Sequence, residues 1–406
     1  MYSTHNPTKV QKTMTTPRDS IQSPAEKFAD IAPYGESQFH EKMARLVTEP
    51  GFRHAVEYVM PHVDYDAFAQ KLVSCPSQRY FQRVIMRDFL TQLERLGTDG
   101  ITSSGIENID PDGAYTFITN HRDIVLDASF LNLVMIRHDL PVTQIAIGNN
   151  LLIFDWIADL VKINRSFIVK RDVKKLEALE AAVHLSEYIH YTITQRHESV
   201  WIAQREGRAK DSDDKTQTSL IKMLSIAGGG DAKRNLAELN LMPVAISYEY
   251  DPNDFLKVRE FLLKRRDPEY RKCQHDDLFS METGLLGYKG RVHFHIAPCI
   301  NDSLTACRCE QSRQAINEAC ELIDKGIHRG YYIYPINYWA YDQLEHSDKY
   351  ADKYTGEDKA KIDEYINGQL AKVNVPDITA DEYDYMHHMM LVMYANPLRN
   401  QLAAQA

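Results

Sequence analysis

Short apolar runs alternate with longer amphipathic segments between residues 101 and 300, and this alternation restricts the fold of the chain most. The runs are rich in Val, Ile, Phe and Thr, which is typical of strands, whereas the segments between them space apolar residues as helices do. The predicted strands are 114–119, 142–147, 166–169, 200–203, 242–247 and 291–297. Strands that alternate with helices predict an α/β fold, with a central mixed sheet covered by helices.

The regions around this core predict a four-part organisation. Residues 1–25 are rich in Thr, Ser, Pro, Lys and Gln and are expected to form a disordered leader. Residues 26–100 predict a helical N-terminal region, residues 101–300 the α/β core, and residues 301–406 a mostly helical C-terminal region. A loop is predicted where small residues cluster, at Gly97, Gly100, Ser103, Ser104 and Gly105.

The overall composition excludes some classes of partner. The net charge of −10 argues against a nucleic-acid partner. Runs of about 18 uncharged apolar residues, which a spanning helix needs, do not occur, and the N-terminus lacks the pattern of a signal peptide.

Six cysteines in a chain of this length predict no disulfide framework. Cys307 and Cys309 could seed a metal site, but reduced thiols are expected because no second pair stands at zinc-ribbon spacing.

The segment 119–127 (TNHRDIVLD) is the most informative for chemistry. It places His121 just past a strand end, and a near-neutral histidine is suited to remove a proton from an alcohol. A carboxylate bonded to the other ring nitrogen would fix the tautomer, and Asp127 or Asp123 could supply it. A structural histidine at a turn is an alternative. A protein-kinase catalytic loop also begins His-Arg-Asp, but Ala128 stands where that loop has Asn.

Two further strand ends carry cations. Residues 165–171 (RSFIVKR) supply Arg165 and Arg171, and residues 201–210 (WIAQREGRAK) supply a second group. That second group consists of Arg205, Glu206, Gly207 and Arg208. Open α/β sheets bind ligands at strand ends, where arginine can hold a phosphate with two parallel hydrogen bonds and glycine allows close approach. Solvated charged faces are the alternative interpretation.

Four motifs in this order resemble those of the glycerophospholipid acyltransferases, the glycerol-3-phosphate and lysophosphatidic acid group. The motifs are His121 with its following acid, 167–171 (FIVKR), 206–208 (EGR) and 243–248 (PVAISY), and the resemblance covers roughly residues 110–250. The chain departs from the family in two places. Five residues rather than four separate His121 from Asp127, which leaves Asp123 as an alternative partner. The third motif lacks a residue after Gly207 and has Arg205 where Pro is usual.

The resemblance implies an O-acyltransferase that moves a fatty acyl group from acyl-CoA or acyl carrier protein to a hydroxyl of a glycerophosphate or lysophospholipid. His121 would be the general base, with Asp127 or Asp123 as its partner. The implied substrate-binding residues are Arg165, Arg171, Arg205, Glu206, Gly207 and Arg208. No metal or redox cofactor is implied, although His293 and His295 share a strand face and could hold zinc if a third ligand existed.

Lipid substrates would place the protein on the inner, cytoplasmic face of the cell membrane as a peripheral protein. Basic residues that could contact anionic lipid are Lys257, Arg259, Lys264, Arg265, Arg266, Arg271 and Lys272. Two other functions remain open for the same fold: a non-catalytic lipid-binding or regulatory module, and a thioesterase in which His121 activates water.

Overall fold

A computed structural model describes residues 23–171 and 174–406 of the chain. In this described part, seven strands form one sheet in the order β1-β7-β6-β2-β5-β3-β4. They are β1 Ile101–Ser104, β2 Thr116–Thr119, β3 Gln144–Gly148, β4 Ser166–Val169, β5 Val200–Ala203, β6 Leu241–Tyr248 and β7 Val292–Ile296. The β6–β7 pair is antiparallel and the other neighbours are parallel. The predicted α/β fold with a mixed sheet is therefore confirmed.

Helices precede, cover and follow the sheet. The N-terminal ones are α1 Pro24–Lys27, α2 Glu36–Leu46, α3 Pro50–Val59, α4 Tyr65–Val73, α5 Gln78–Tyr80 and α6 Arg87–Gly97, with a π-helical segment at Phe81–Met86. Those among the strands are α7 Leu126–Arg137, α8 Asp155–Ile163, α9 Lys175–Thr194, α10 Thr218–Leu224, α11 Ala232–Glu238, α12 Asp254–Arg266 and α13 Gln274–Leu286, with short 3-10 turns at Ile106–Asn108 and Asn149–Leu151. The C-terminal ones are α14 Asn301–Ala306, α15 Ser312–Gly330, α16 Pro335–Glu345, α17 Gly356–Ala371 and α18 Ala380–Gln405.

Each face of the sheet is buried by a layer of helices. Successive side chains of a strand point to opposite faces, so Phe117 and Ile118 of β2 enter different cores. Phe117 packs in a cluster with residues of α6 and α7. Ile118 packs in a cluster with residues of α9, α10, α11 and α15. The central strand is therefore inaccessible along its length, and its functional groups must emerge at its end.

Two smaller hydrophobic cores lie beside the sheet. The N-terminal helices bury Phe39 and Met43 together with Ile163 of α8. The C-terminal helices bury Trp339 and Met390 together with residues of α12. The proposed boundaries between the four parts stay a prediction. Residues 1–22 of the predicted leader lie outside the described residues. Helix α1 begins at Pro24, within the range assigned to the leader.

Two sequence-based predictions are wrong in this part of the fold. The residues assigned to a loop after α6 include the edge strand β1, which pairs in parallel register with β7. Its sequence, Ile-Thr-Ser-Ser, shows no alternation of apolar and polar residues. Pairing with β7, rather than burial of an apolar face, places this strand in the sheet. Cys307 and Cys309 form a disulfide rather than a pair of reduced thiols.

Within the described residues, no helix combines the length and the apolar character that crossing a membrane would require.

Candidate active site

The loop after β2 begins the site. Asn120 is fully buried, and its side chain continues the sheet pairing beyond the strand. Its Nδ2 donates to the Ile246 carbonyl at 2.9 Å, and its Oδ1 accepts from the Ile246 N–H at 2.8 Å. These two bonds tie the loop to β6, so the next residue, His121, leaves the sheet at a defined point.

His121 is paired with Asp127. Its Nδ1 lies 2.8 Å from Oδ2 of Asp127, whose side chain is fully buried. The same oxygen accepts the backbone N–H groups of Arg122 at 2.6 Å and Asp123 at 3.1 Å. Because the Asp127 carboxylate accepts a hydrogen bond from Nδ1 of His121, the ring proton lies on Nδ1. Nε2 of the same ring is then free to accept a proton. The turn wraps around the carboxylate, and it thereby accommodates the five residues between histidine and acid.

Asp123 has a different place. Its Oδ1 accepts the N–H groups of Val125 at 2.9 Å and Leu126 at 2.8 Å, so it caps the N-terminus of α7. Burial, and next the nearby Asp127 carboxylate, raise the pKa of Asp123. The structure therefore joins Asp127, and not Asp123, to the imidazole.

A large apolar cavity of about 1270 Å³ reaches His121. Its walls come from the N-terminal helices, through Phe52 and Ile85, and from the core, through Leu152 and Trp201. The Trp201 ring meets the His121 ring edge-on, with centroids 5.7 Å apart. The helical N-terminal region thus forms one side of this cavity and α8 contributes to another.

A second, polar cavity of about 250 Å³ also reaches His121. The residues that line it include five of the six predicted substrate-binding residues, namely Arg171, Arg205, Glu206, Gly207 and Arg208. Gly207 has φ +66°, a left-handed conformation that favours glycine. We call this space the cationic cavity. The sequence-distant loops after β2, β4 and β5 are thus brought together.

Arg171 is placed by the loop after β3. Its backbone N–H donates to Oδ1 of Asn149 at 2.8 Å, and its Nε lies 3.8 Å from Oε1 of Glu206. A Cβ at Gly148 would lie 2.8 Å from this Nε, so the absence of a side chain there makes room for the guanidinium. Sequence reasoning missed Gly148 and Asn149, since neither stands near a charged strand end.

The structure does not bring Arg165 to this cluster. Arg165 precedes β4 and Arg171 follows it, so the two lie at opposite ends of the strand. Arg165 pairs instead with Glu198, two residues before β5 begins. Arg165 therefore lies outside the site, because the parallel strands carry His121 and the other arginines at their opposite ends.

Three of the seven residues of the proposed membrane patch line the cationic cavity. Lys257 is buried and pairs with Asp251, and it lines the cationic cavity together with Arg259 and Lys272. Burial lowers the pKa of Lys257. Lys257 therefore cannot contact a membrane. Lys210, at the end of the segment 201–210, also lines the cavity and pairs with Glu260.

The two histidines of β7 are bonded to hydroxyl groups of β1. Nδ1 of His293 lies 2.8 Å from Oγ1 of Thr102, and Nε2 lies 2.9 Å from Oγ of Ser104. The same Ser104 oxygen lies 2.8 Å from Nδ1 of His295. Across the described residues, no group of three or more His, Cys, Asp or Glu side chains is arranged to hold a metal ion.

Comparisons with known proteins give little further guidance. No family model matches the chain, and no curated protein matches it. Among solved structures, a crystal structure of the 1-acyl-sn-glycerophosphate (LPA) acyltransferase PlsC from Thermotoga maritima aligns with a TM-score of 0.34 and 13% identity. The alignment covers 68% of this chain and 91% of that one. A likeness of this size does not establish a shared fold or function.

Proposed function

We propose that this protein transfers a fatty acyl group from a coenzyme A or acyl carrier protein thioester to a hydroxyl of a glycerophosphate or lysophospholipid. The observation that carries the proposal is the position of His121 where an apolar cavity and a cationic cavity meet. A reaction that joins a hydrocarbon chain to a phosphate-bearing alcohol needs a base at such a junction.

The base acts through Nε2 of His121, since Nδ1 is bonded to Asp127. Nε2 takes the proton of the acceptor hydroxyl as its oxygen attacks the thioester carbonyl. The carbon–oxygen bond forms, the carbon–sulfur bond breaks, and the imidazolium returns the proton to the thiolate that leaves. The Asp127 carboxylate stabilises the imidazolium meanwhile. General base catalysis of this kind contributes ~10²–10⁴-fold to the rate.

The apolar cavity fits the acyl chain. Its volume of about 1270 Å³ exceeds the ~300–1,000 Å³ of ordinary small-molecule pockets. Each methylene group moved from water into such a space is stabilised by ~0.8 kcal/mol. The binding energy of the chain can therefore hold the thioester carbonyl beside His121.

The cationic cavity fits the phosphate. Arg171, Arg205 and Arg208 supply donors around it, and we call these three the arginine clamp. Nε of Arg205 is buried and has no hydrogen-bond partner among the described residues. Arginine binds phosphate oxygens through two parallel bonds, and a third guanidinium adds further donors. Glu206, which lies 3.8 Å from Arg171, orients that guanidinium.

The substrates imply a membrane surface as partner and the cytoplasmic face of the cell membrane as location. Phe154 and Tyr58 line the apolar cavity and are each about half exposed, so they stand at its mouth. Apolar side chains at that mouth would enter the bilayer and let a lipid pass from the membrane into the cavity. The chemistry requires neither a metal nor a redox cofactor.

The test is an incubation of the purified protein with labelled palmitoyl-CoA or palmitoyl carrier protein. Glycerol 3-phosphate and lysophosphatidate serve as acceptors, and products are identified by mass. We expect a lipid one acyl chain heavier than the acceptor, its formation reduced ~10²–10⁴-fold in His121→Ala. The exposed His138→Ala variant is the matched control and should keep wild-type turnover.

Other results would exclude the proposal. Wild-type turnover in His121→Ala would show that His121 is not the general base. Release of free fatty acid that needs no acceptor would indicate a thioesterase. Lipid binding without any acyl release would indicate a non-catalytic module.

A further inference from the structure

Arg122, the residue after the proposed base, is buried beneath the site with 5% exposure. Its Nη1 donates to Oδ1 of Asp214 at 2.9 Å, and its Nη2 donates to Oδ2 at 2.6 Å. The hydroxyl of Tyr331 donates to the same Oδ2. Asp214 is fully buried, so a buried bidentate ion pair joins the loop after β2 to the loop after β5.

Asp214 belongs to the loop after β5, which carries Arg205 and Arg208, two of the three residues of the arginine clamp. Residues 204–217 leave the end of β5 and return to it, since the Gln217 N–H donates to the Gln204 carbonyl at 2.9 Å. The Gln217 side chain also accepts the Glu206 N–H at 2.7 Å. Arg205 and Arg208 stand on the outgoing half of this loop and Asp214 on the returning half. A bond at Asp214 therefore restrains the loop as a whole.

Helix α15 fixes the returning half from the other side. Nε2 of His328 donates to the Asp214 carbonyl at 2.7 Å. Oδ1 of Asp324 accepts both the N–H and the hydroxyl of Thr216, at 2.8 Å and 2.5 Å. These bonds fix the position of Asp214. Asp214 in turn fixes Arg122, which is next to His121 in the chain.

We infer that Arg122, Asp214 and Tyr331 are positioning residues that keep the imidazole of His121 in register with Arg205 and Arg208 of the arginine clamp. The inference rests on the proposed function. A buried ion pair adds little net stability, because the cost of desolvating its two charges offsets their attraction. Its planar, two-bond geometry does fix the distance and the angle between two loops. Displacing a reacting group by about 1 Å can cost ~10²-fold in rate.

The test replaces the network by apolar groups of similar size, in the triple variant Arg122→Met, Asp214→Leu, Tyr331→Phe. Such replacements usually keep a protein folded. We expect an unchanged melting temperature, a kcat about 10²-fold lower, and an unchanged KM for the thioester. Arg122→Lys keeps the positive charge but loses one of the two hydrogen bonds to Asp214. Its kcat should therefore lie between those of the wild type and the triple variant.

The matched control removes another bidentate pair, at the far end of α7, where Arg137 bonds to Glu94. The double variant Arg137→Met, Glu94→Leu should keep wild-type kcat. A folded triple variant with wild-type kcat would overturn the inference. Should the triple variant not fold, a wild-type kcat in Arg122→Lys would overturn it equally.

A readout that needs no activity separates this inference from the proposed function. The chemical shifts of the His121 ring protons are compared by NMR in the wild type and in Arg122→Lys, since the Trp201 ring 5.7 Å away makes them sensitive to ring position. If the wild type transfers no acyl group, the proposed function fails, and unchanged His121 ring shifts in Arg122→Lys then refute the positioning role as well. Acyl transfer by the wild type, together with changed ring shifts and a lowered kcat in Arg122→Lys, supports both.

Discussion

Two carboxylates four residues apart perform different tasks because of what surrounds them. Asp127 accepts from the imidazole and two backbone N–H groups, whereas Asp123 accepts from the first turn of α7. The sequence leaves the choice between them open, since both are near His121 along the chain. The direction of the turn decides it.

Replacing each carboxylate by its amide should therefore give different results. Asp127→Asn can no longer hold the proton on Nδ1 of His121, and we expect acyl transfer to fall ~10²–10⁴-fold. Asp123→Asn keeps a good helix cap and should retain activity within a few-fold. Steady-state rates of the two variants, with circular dichroism as a check of folding, make the comparison. Equal losses in both variants would contradict the assignment of Asp127.

At the scale of elements, the site depends on a close contact between α13 and the loop after β2. Gly284 of α13 faces Asp123 so closely that a Cβ there would collide with Oδ2 of the carboxylate. Gly368 of α17 has no atom within 4 Å of the corresponding position. The two glycines are both helical, but only the first is needed for packing.

Substitution of these glycines should change stability in opposite directions. Gly368→Ala should raise the free energy of unfolding by ~0.4–1 kcal/mol, because alanine is the better helix former. Gly284→Ala should lower it by ~1–3 kcal/mol, because the methyl group displaces the Asp123 loop. Urea unfolding measures both. A stabilised Gly284→Ala would show that α13 does not pack on the loop as described.

The packing of α12 against α17 and α18 contains a buried acid that should make stability depend on pH. Asp254 accepts hydroxyl bonds from Tyr365 at 2.8 Å and Tyr394 at 2.7 Å. Burial, and next the Asp251 carboxylate, raise its pKa from 3.8 to about 7. Between these pH values the folded state binds more protons than the unfolded state, so stability falls as the pH rises.

The expected slope from this group is at most ~1.4 kcal/mol per pH unit, and it ends above the folded-state pKa. Asp254→Asn cannot ionise and should lose this part of the pH dependence while keeping an acceptor for the tyrosines. Urea unfolding at pH 5, 6, 7 and 8 compares the two proteins. Parallel curves for wild type and variant would rule out the raised pKa.

At the scale of the whole molecule, the N-terminal helices and the sheet both contribute walls to the apolar cavity, so the cavity depends on their packing against each other. Its mouth carries Phe154, which is 52% exposed. Leu96 of α6 is 66% exposed but does not line the cavity. The two side chains therefore distinguish a membrane contact at the mouth from general surface hydrophobicity.

Phe154→Ser should weaken binding to vesicles of phosphatidylcholine and phosphatidylglycerol about tenfold, as expected for the loss of one buried aromatic ring. Leu96→Ser should leave the binding unchanged. Co-sedimentation with the vesicles measures both. If the two variants bind alike, the mouth of the cavity is not the surface that meets the membrane.

The local pattern of the chain was enough to predict six of the seven strands, the α/β class and the charged strand ends, because periodicity and strand-end polarity depend on neighbouring residues. It could not predict β1, whose place depends on pairing with β7, 191 residues further along the chain.

The tertiary structure alone decided which charged residues meet. Strand order and direction bring Arg171 and Arg205 to His121 and leave Arg165 at the opposite end of the sheet. The pair of Arg122 and Asp214 joins positions 92 residues apart, and no local pattern reports such a distance. Residue types along the chain determine which chemistry is available, and long-range packing determines which groups share a cavity, because a contact across the sheet depends on the position of every strand between its partners.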